Sequence, residues 1–352
     1  MPLISRGLAA FTNHALSPAA AAFDADYATS WRSGHEPSPA DPDWIAVDLS
    51  TVPAEQRDKV YSVWFNEGQY DYDASDAQSY TLPGDYQIQS NAAPGGRPPP
   101  SSGWVTLASA AGNFLSSGAH IFRLAGANWL RFVSTASAKN VAVYNKDTSL
   151  QWEIYDARAA VDAWKFAGDS ITANAMGHKK TNDAFNQLVE KKASRFPAFE
   201  MAGHAFWSSA TMLDSIDAYL ANFPGHFFGL AFGTNDPGAN PSIYGANMSR
   251  LIDKVLSSGK VPVIPTIPYT GEPGHVHVVE VLNVEVNRLL SEYGPKLVRG
   301  PDLYKILYEG RARLFDQPTD LHPNELGNLA IRQAWADAMV AEVYREETEG
   351  RP

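Results

Sequence analysis

Hydrophobic and polar positions change their period once along this chain. From residue 1 to about 157 the apolar residues fall in short alternating or β-rich runs: WIAVDL (44–49), VYSVWFN (60–66), GDYQIQS (84–90), WVTLAS (104–109), HIFRL (120–124), WLRFVS (129–134), VAVYN (141–145) and WEIYDA (152–157). Clusters of Gly, Pro, Asn and Ser separate them, most densely in NAAPGGRPPPSSG (91–103). Many short strands at such spacing predict an antiparallel all-β sandwich. From about 160 the apolar runs WKFAG, FFGLAFG and VPVIPTIP alternate with helical patterns near 181–195, 242–258, 276–293 and 324–346. That β-α-β-α order predicts a parallel sheet covered by helices on both faces. The expected division is a β domain over 1–157 and an α/β domain over 158–352.

Composition narrows what these domains can do. The 352 residues suit two domains, and 44% hydrophobic against 19% charged residues allows each a real core. A formal charge of −11 argues against a nucleic-acid partner, which needs clustered Lys and Arg. The absence of cysteine excludes disulfides, thiolate metal sites and a cysteine nucleophile. No run of about 18 apolar residues is present, so no membrane span is expected. The alanine-rich N-terminus reads as the start of the folded chain. The compartment stays open, with a secreted or cell-surface location favoured over the cytoplasm. Oligomeric state is not fixed by any of these features.

Three stretches of the second half carry candidate chemistry. Gly168-Asp169-Ser170 lies between a predicted strand and a helix-like run. Alone it reads as a turn; the alternative is a hydroxyl nucleophile held out at a sheet edge. Gly233-Thr234-Asn235-Asp236 closes a second strand. It is either a strand-end turn or a place for Asn235 to direct its amide at a developing oxyanion. The third stretch, DQPTDLHPNELG (316–327), puts His322 before a proline suited to opening a helix, with Asp320 two and Asp316 six residues earlier. A histidine steadied by a carboxylate is what a serine hydroxyl needs to become nucleophilic. One such stretch is weak; Ser, Asn and Asp/His in this order, each after a predicted strand, point to a serine hydrolase. His275 and His277 in GHVHVV alternate and read as a solvent-facing loop with too few partners for a metal.

With GDSI, GTND and DLHPN in place, residues of about 160–346 resemble the SGNH, or GDSL, hydrolase superfamily. The resemblance implies a flavodoxin-like three-layer α/β/α domain that hydrolyses esters without a cofactor or metal. It implies Ser170 as nucleophile, His322 as general base, and an oxyanion hole of the Ser170 N–H, Asn235 and Gly203. Two positions depart from the family pattern. The family acid lies three residues before the histidine, where this chain has Thr319; Asp320 is the chosen acid and Asp316 the reserve, and a backbone carbonyl could also orient the ring. In EMAGHAFWSSATML (200–213) the family's spacing would place the oxyanion N–H at Phe206, although Gly203 is favoured. His204 and Trp207 either line the mouth or pack within the loop.

The first half is similar, over about 15–157, to the discoidin or coagulation factor 5/8 type C family. The likeness rests on Asp26, Thr29 and Trp31 in AFDADYATSWRS, on Trp44, Val47, Asp48 and Leu49 in DWIAVDLS, and on NWLRFV and WEIYDA. It implies an eight-stranded jelly-roll-like sandwich, with calcium near the Asp26/Thr29 loop and sugar stacking on loop aromatics such as EGQYDYDASDAQSY (67–80) as further possibilities. Together the halves suggest a short-chain, acetyl-type esterase acting on a small-molecule or carbohydrate ester. A lipid or aryl esterase, a thioesterase, and a non-catalytic carbohydrate-binding or adhesion protein are the alternatives.

Overall fold

In the computed structural model, residues 1–66, 81–96, 98–113, 115, 117–138, 146–158, 162–177, 183–236 and 240–344 are described. They divide into two compact units, one N-terminal and one from Asp162 onward.

The N-terminal unit contains β1 (Ala10–Thr12), β2 (Trp31–Arg32), β3 (Asp43–Asp48), β4 (Lys59–Phe65), β5 (Pro83–Asn91), β6 (Val105–Ala110), β7 (Ser117–Arg123), β8 (Trp129–Ser137) and β9 (Ser149–Asp156). They form two antiparallel sheets, of order β1-β3-β8-β5-β6 and β2-β9-β4-β7. β5 shows why the alternation reads as it does. Tyr86 and Ile88 are buried, whereas Asp85, Gln87 and Gln89 between them are partly exposed, as a pleat with one covered face requires. Val47, Trp64, Ile88, Phe132, Trp152 and Ile154, drawn from both sheets, share one apolar core. Within it Phe132 meets Trp64 and Trp152 edge-on, at 5.7 and 6.0 Å between ring centres, a favoured aromatic geometry. The VAVYN run (141–145) and the aromatic stretch 67–80 lie outside the described residues. β1 and β2 are absent from the sequence prediction: three and two residues are too short to show a period.

β9 departs from alternation, being buried along its whole length. Its polar side chains are covered by the loop that precedes β2. Gln151 Nε2 donates to the carbonyls of Asp26 and Thr29, at 2.5 Å each. The Asp24 carboxylate accepts from Asp26 N and Thr29 Oγ1, at 2.9 and 2.8 Å. A donor of the chain itself thus sits against carbonyls of the loop considered for calcium. Glu153 accepts hydrogen bonds from the Tyr27 and Tyr155 hydroxyls. Burial pushes its carboxyl up from 4.5 to about 7, against the opposing pull of the Tyr155 and Tyr27 bonds. A raised acid holds its proton better folded than unfolded, so stability falls as pH rises through that window. The loss is on the order of 3 kcal/mol at about 1.4 kcal/mol per pH unit. Glu153→Gln is expected to remove most of that slope, as thermal melts of both proteins from pH 4 to 8 would show; parallel curves would refute it.

The C-terminal unit interleaves β10 (Ala163–Gly168), α1 (Ser170–Met176), α2 (Phe185–Ala193), β11 (Ala198–Gly203), α3 (Ser209–Ala221), β12 (Phe227–Ala231), α4 (Pro241–Ser257), β13 (Val261–Ile264), α5 (Pro273–Tyr293), β14 (Val298–Arg299), α6 (Leu303–Leu314) and α7 (Glu325–Glu342). Its five strands are all parallel, in the order β11-β10-β12-β13-β14. α1, α2, α6 and α7 pack among themselves, as do α3, α4 and α5, giving two helical layers. This is a doubly wound α/β arrangement of the flavodoxin-like order, with its topological switch between β10 and β12. The predicted helices near 181–195 and 324–346 are shorter, as α2 and α7, and α3 and α6 are additional. His275 and His277 belong to α5 and not to a loop. Pro273 occupies its first position, and Val279, Leu282, Val286, Leu289 and Leu290 form its buried stripe.

Candidate active site

β11, β10 and β12 run side by side, with Gly168 in register with Gly203 on one side and Ala231 on the other. Gly203 ends β11, and Ser170 and Asn235 follow closely after β10 and β12. All three lie at the C-terminal edge of the sheet around the switch point, where open α/β sheets form their sites.

Ser170 is held at a tight corner. A Cβ on Gly168 would lie 2.1 Å from Thr172 Oγ1 and 2.7 Å from the Ala231 carbonyl, so only glycine lets β10 turn directly into α1. Asp169, fully buried, caps that helix: its side chain accepts from Ile171 N at 2.9 Å. Burial raises the Asp169 carboxyl to about 6, with the hydrogen bond from Ile171 N pulling it down. Ser170 is then the first residue of α1, half-buried, with its hydroxyl 2.7 Å from His322 Nε2. The first helical N–H groups have no partner within the helix, which leaves the Ser170 N–H in the position of a donor.

His322 lies between α6 and α7 on a loop tied at both ends. Asn324 N donates to Leu314 O at 2.9 Å, and its side chain receives Gly327 N and donates to Arg313 O, each at 3.1 Å. Pro323 biases the residue before it toward extended backbone. Of the two acids considered, Asp316 accepts from Asn324 Nδ2 at 3.2 Å and Asp320 accepts from Gln317 N at 2.8 Å. Both of these carboxylate bonds hold the loop together.

A third carboxylate acts electrostatically on the histidine from elsewhere in the chain. Gly271 N and Thr270 Oγ1 donate to the Asp320 carbonyl, at 2.9 and 3.3 Å, and so draw the start of α5 to the His322 loop. Glu272 follows at once, with an oxygen 2.6 Å from His275 Nδ1. Burial lowers the His322 imidazole below its ordinary value; Glu272 and then Asp320 pull it back up, and His275 pushes it down. The sequence gives no sign of Glu272, 50 residues from the histidine and in an unremarkable GEPG turn.

Asn235 is half-buried, with its amide donating to Trp207 O at 3.3 Å. Its neighbour Asp236 accepts from Ser209 N and Ser209 Oγ, fixing the start of α3 against the GTND turn. Gly203 is required for packing: a Cβ there would lie 2.5 Å from Ala173 N. Its own N–H donates to Met201 Sδ at 2.9 Å, an engagement it would have to leave to serve an oxyanion. Three residues on, Phe206 has φ +64 and is 69% exposed, an unfavourable backbone for an aromatic residue and of a kind that concentrates at functional turns. His204 stacks on Trp207 at 4.0 Å and bonds the Tyr219 hydroxyl. Burial lowers the His204 imidazole to about 4. Among the described residues, the group of three side chains suited to a metal lies in the N-terminal unit.

A serine hydroxyl thus lies within hydrogen-bond distance of a histidine at the switch point of a doubly wound sheet. Residues 166–330 match the GDSL-like Lipase/Acylhydrolase family. Similar solved structures include a lipase/acylhydrolase from Enterococcus faecalis, at 17% identity, covering 51% of this chain and 95% of that one, TM-score 0.42. Axe2, an acetylxylan esterase from Geobacillus stearothermophilus, shows 14% identity over 51% of this chain and 95% of its own, TM-score 0.43. Protein YXIM from Bacillus subtilis shows 14% identity over 97% and 89%, TM-score 0.48. No curated protein matches the chain.

Proposed function

We propose that the chain is a serine esterase that removes short acyl groups, acetyl above all, from a carbohydrate or small-molecule ester. The observation that carries the catalytic part is the 2.7 Å contact between Ser170 Oγ and His322 Nε2. His322 takes the hydroxyl proton as Ser170 attacks the ester carbonyl. The tetrahedral oxyanion is held by the Ser170 N–H, the Asn235 amide and an N–H of the 203–206 turn. The alcohol leaves with the proton from His322, and water then attacks the acyl-serine by the same route. The acetyl and sugar assignments rest on the discoidin-like residues of the N-terminal half, including Asp26, Thr29 and Trp31, which suggest a jelly-roll module of the carbohydrate-binding type. The aromatic stretch 67–80 considered for sugar stacking lies outside the described residues.

A chain-length series of p-nitrophenyl esters, run beside acetylated xylan and other acetylated glycans, tests the substrate class. Acetate esters are expected to give the highest kcat/KM, with acetate released from a glycan. A rising preference for long chains would replace this reading with a lipid esterase.

In this proposal Glu272, and after it Asp320, supplies negative charge that favours protonated His322. Because burial outweighs both, kcat/KM is expected to rise with pH through an inflection below the ordinary histidine value of 6.5 and then level off. Removing an acid removes a pull that favours His322 protonation, so Glu272→Gln should move the inflection further down and lower kcat more than Asp320→Asn. The pH profiles of the two variants, with Asp316→Asn as control, check this. An effect confined to Asp320→Asn would return the role to that residue alone.

A further inference from the structure

We propose that His14, His35 and Asp41, backed by the buried Asp43, form a binding site for a divalent transition-metal ion in the N-terminal unit. One donor atom from each of the first three lies within 4.8 Å of those of the others. The site is assembled by strand pairing. β1 pairs antiparallel with β3, setting Thr12 opposite Ile45, so the residues after β1 run beside those before Ile45. Asn13 fixes this approach by accepting from Trp44 N at 2.9 Å and donating to Pro42 O at 2.7 Å. Trp31 Nε1 donates to His14 O at 3.1 Å and Leu16 N to Arg32 O at 2.8 Å, bringing in the end of β2, from which His35 follows.

The two imidazoles lie 3.9 Å apart between ring centres. Both direct Nδ1 at the same atom, Asp43 Oδ1, at 2.9 and 2.8 Å. Asp43 is fully buried, and its Oδ2 has no hydrogen-bond partner among the described residues. A carboxylate oxygen can only accept, so each Nδ1 donates to Asp43 and, in the neutral tautomer that makes this bond, the lone pair lies on Nε2. Those lone pairs face Asp41, whose oxygens are 3.9 Å from His14 Nε2 and 3.3 Å from His35 Nε2. In that tautomer three acceptors converge, and their repulsion is relieved by a proton on a ring or by a metal ion bound between them. A carboxylate behind each ligating histidine is the support that orients metal-bound imidazole and increases its basicity.

The donor set selects the ion. Two imidazoles and one carboxylate suit zinc, cobalt or nickel, whereas calcium and magnesium prefer oxygen alone. Bonds of about 2.0–2.2 Å need the donors to close by roughly 1 Å, which the exposed Asp41 and the partly exposed rings permit. The ion would tie β1, β2 and β3 together at one end of the unit.

The experiment is calorimetric titration of zinc chloride into the full-length, tag-free, chelator-treated protein, with thermal melts at each zinc concentration. Wild type is expected to take up one equivalent and to gain Tm with zinc, with calcium and magnesium giving neither. His35→Gln and Asp41→Asn should lose the equivalent, and Asp43→Asn should weaken binding by about 10–100-fold. Circular dichroism verifies that Asp41→Asn, altered at an exposed side chain, is folded, and His277→Gln should bind zinc as wild type does. No stoichiometric uptake by wild type, equal uptake by folded Asp41→Asn, or calcium binding as tight as zinc would each overturn the proposal.

Discussion

Ser170→Ala is expected to lower kcat/KM for p-nitrophenyl acetate by about 10⁴–10⁶-fold while leaving the fold intact. The hydroxyl is half-buried and sits at the first turn of α1, and the corner that exposes it is built by Gly168 and Asp169. Removing one oxygen creates no large cavity, so circular dichroism and Tm should hardly change. The loss should instead appear in the chemical step, because no other hydroxyl shares the 2.7 Å contact with His322 Nε2 among the hydrogen bonds described. His322→Ala should cost a comparable factor, and the double variant little more than either single one. A nucleophile and its base act as a unit, so their losses do not add. Losses that multiplied would mean that the two residues act independently, and the Ser170–His322 mechanism would fail.

Asn235→Ala is expected to lower kcat by about 10²–10³-fold with a much smaller change in KM, the signature of a donor that acts on the transition state more than on the bound ester. Asn235 follows β12, whose last residue Ala231 is in register with Gly168 of β10. Its amide, 3.3 Å from Trp207 O, is held by a long bond that a developing negative charge could displace. Asn235→Asp keeps the shape and replaces a donor by a charged acceptor, so it should be at least as damaging. If Asn235→Ala instead raised KM at unchanged kcat, Asn235 would be a ground-state binding residue.

How much of this was legible in the sequence depends on whether the information was local. The parallel sheet was readable because its central strands are continuous apolar runs, such as FFGLA of β12, between helices with buried stripes. β14 has two residues, and α6 interrupts its pattern with Gly310 and the basic pair Arg311 and Arg313; neither offers a period. GHVHVV misled because its alternation has period two, while the proline just before it starts a helix whose stripe becomes evident only from Val279 onward. Ser170, Asn235 and His322 could be named because each sits in a short block at a strand end or before a helix. Glu272 could not, because it is drawn toward the His322 loop only by a pairing of two loops, Gly271 N to Asp320 O. His14 and His35 were missed for the same reason: they approach Asp43 only because β1 pairs with β3 and the residues beyond β1 bond to the end of β2. Periodicity reports which face of an element is covered; it does not report which loops meet.

The most direct measurement of the central proposal, an activated Ser170, is the site of covalent trapping by a reactive phosphonate ester, read by intact mass and peptide mapping. The expected result is one adduct per chain on the peptide bearing Ser170, formed in step with loss of esterase activity, absent in Ser170→Ala and greatly slowed in His322→Ala. An adduct on a different residue, or an unmodified Ser170 in a protein that continues to hydrolyse esters, would contradict it.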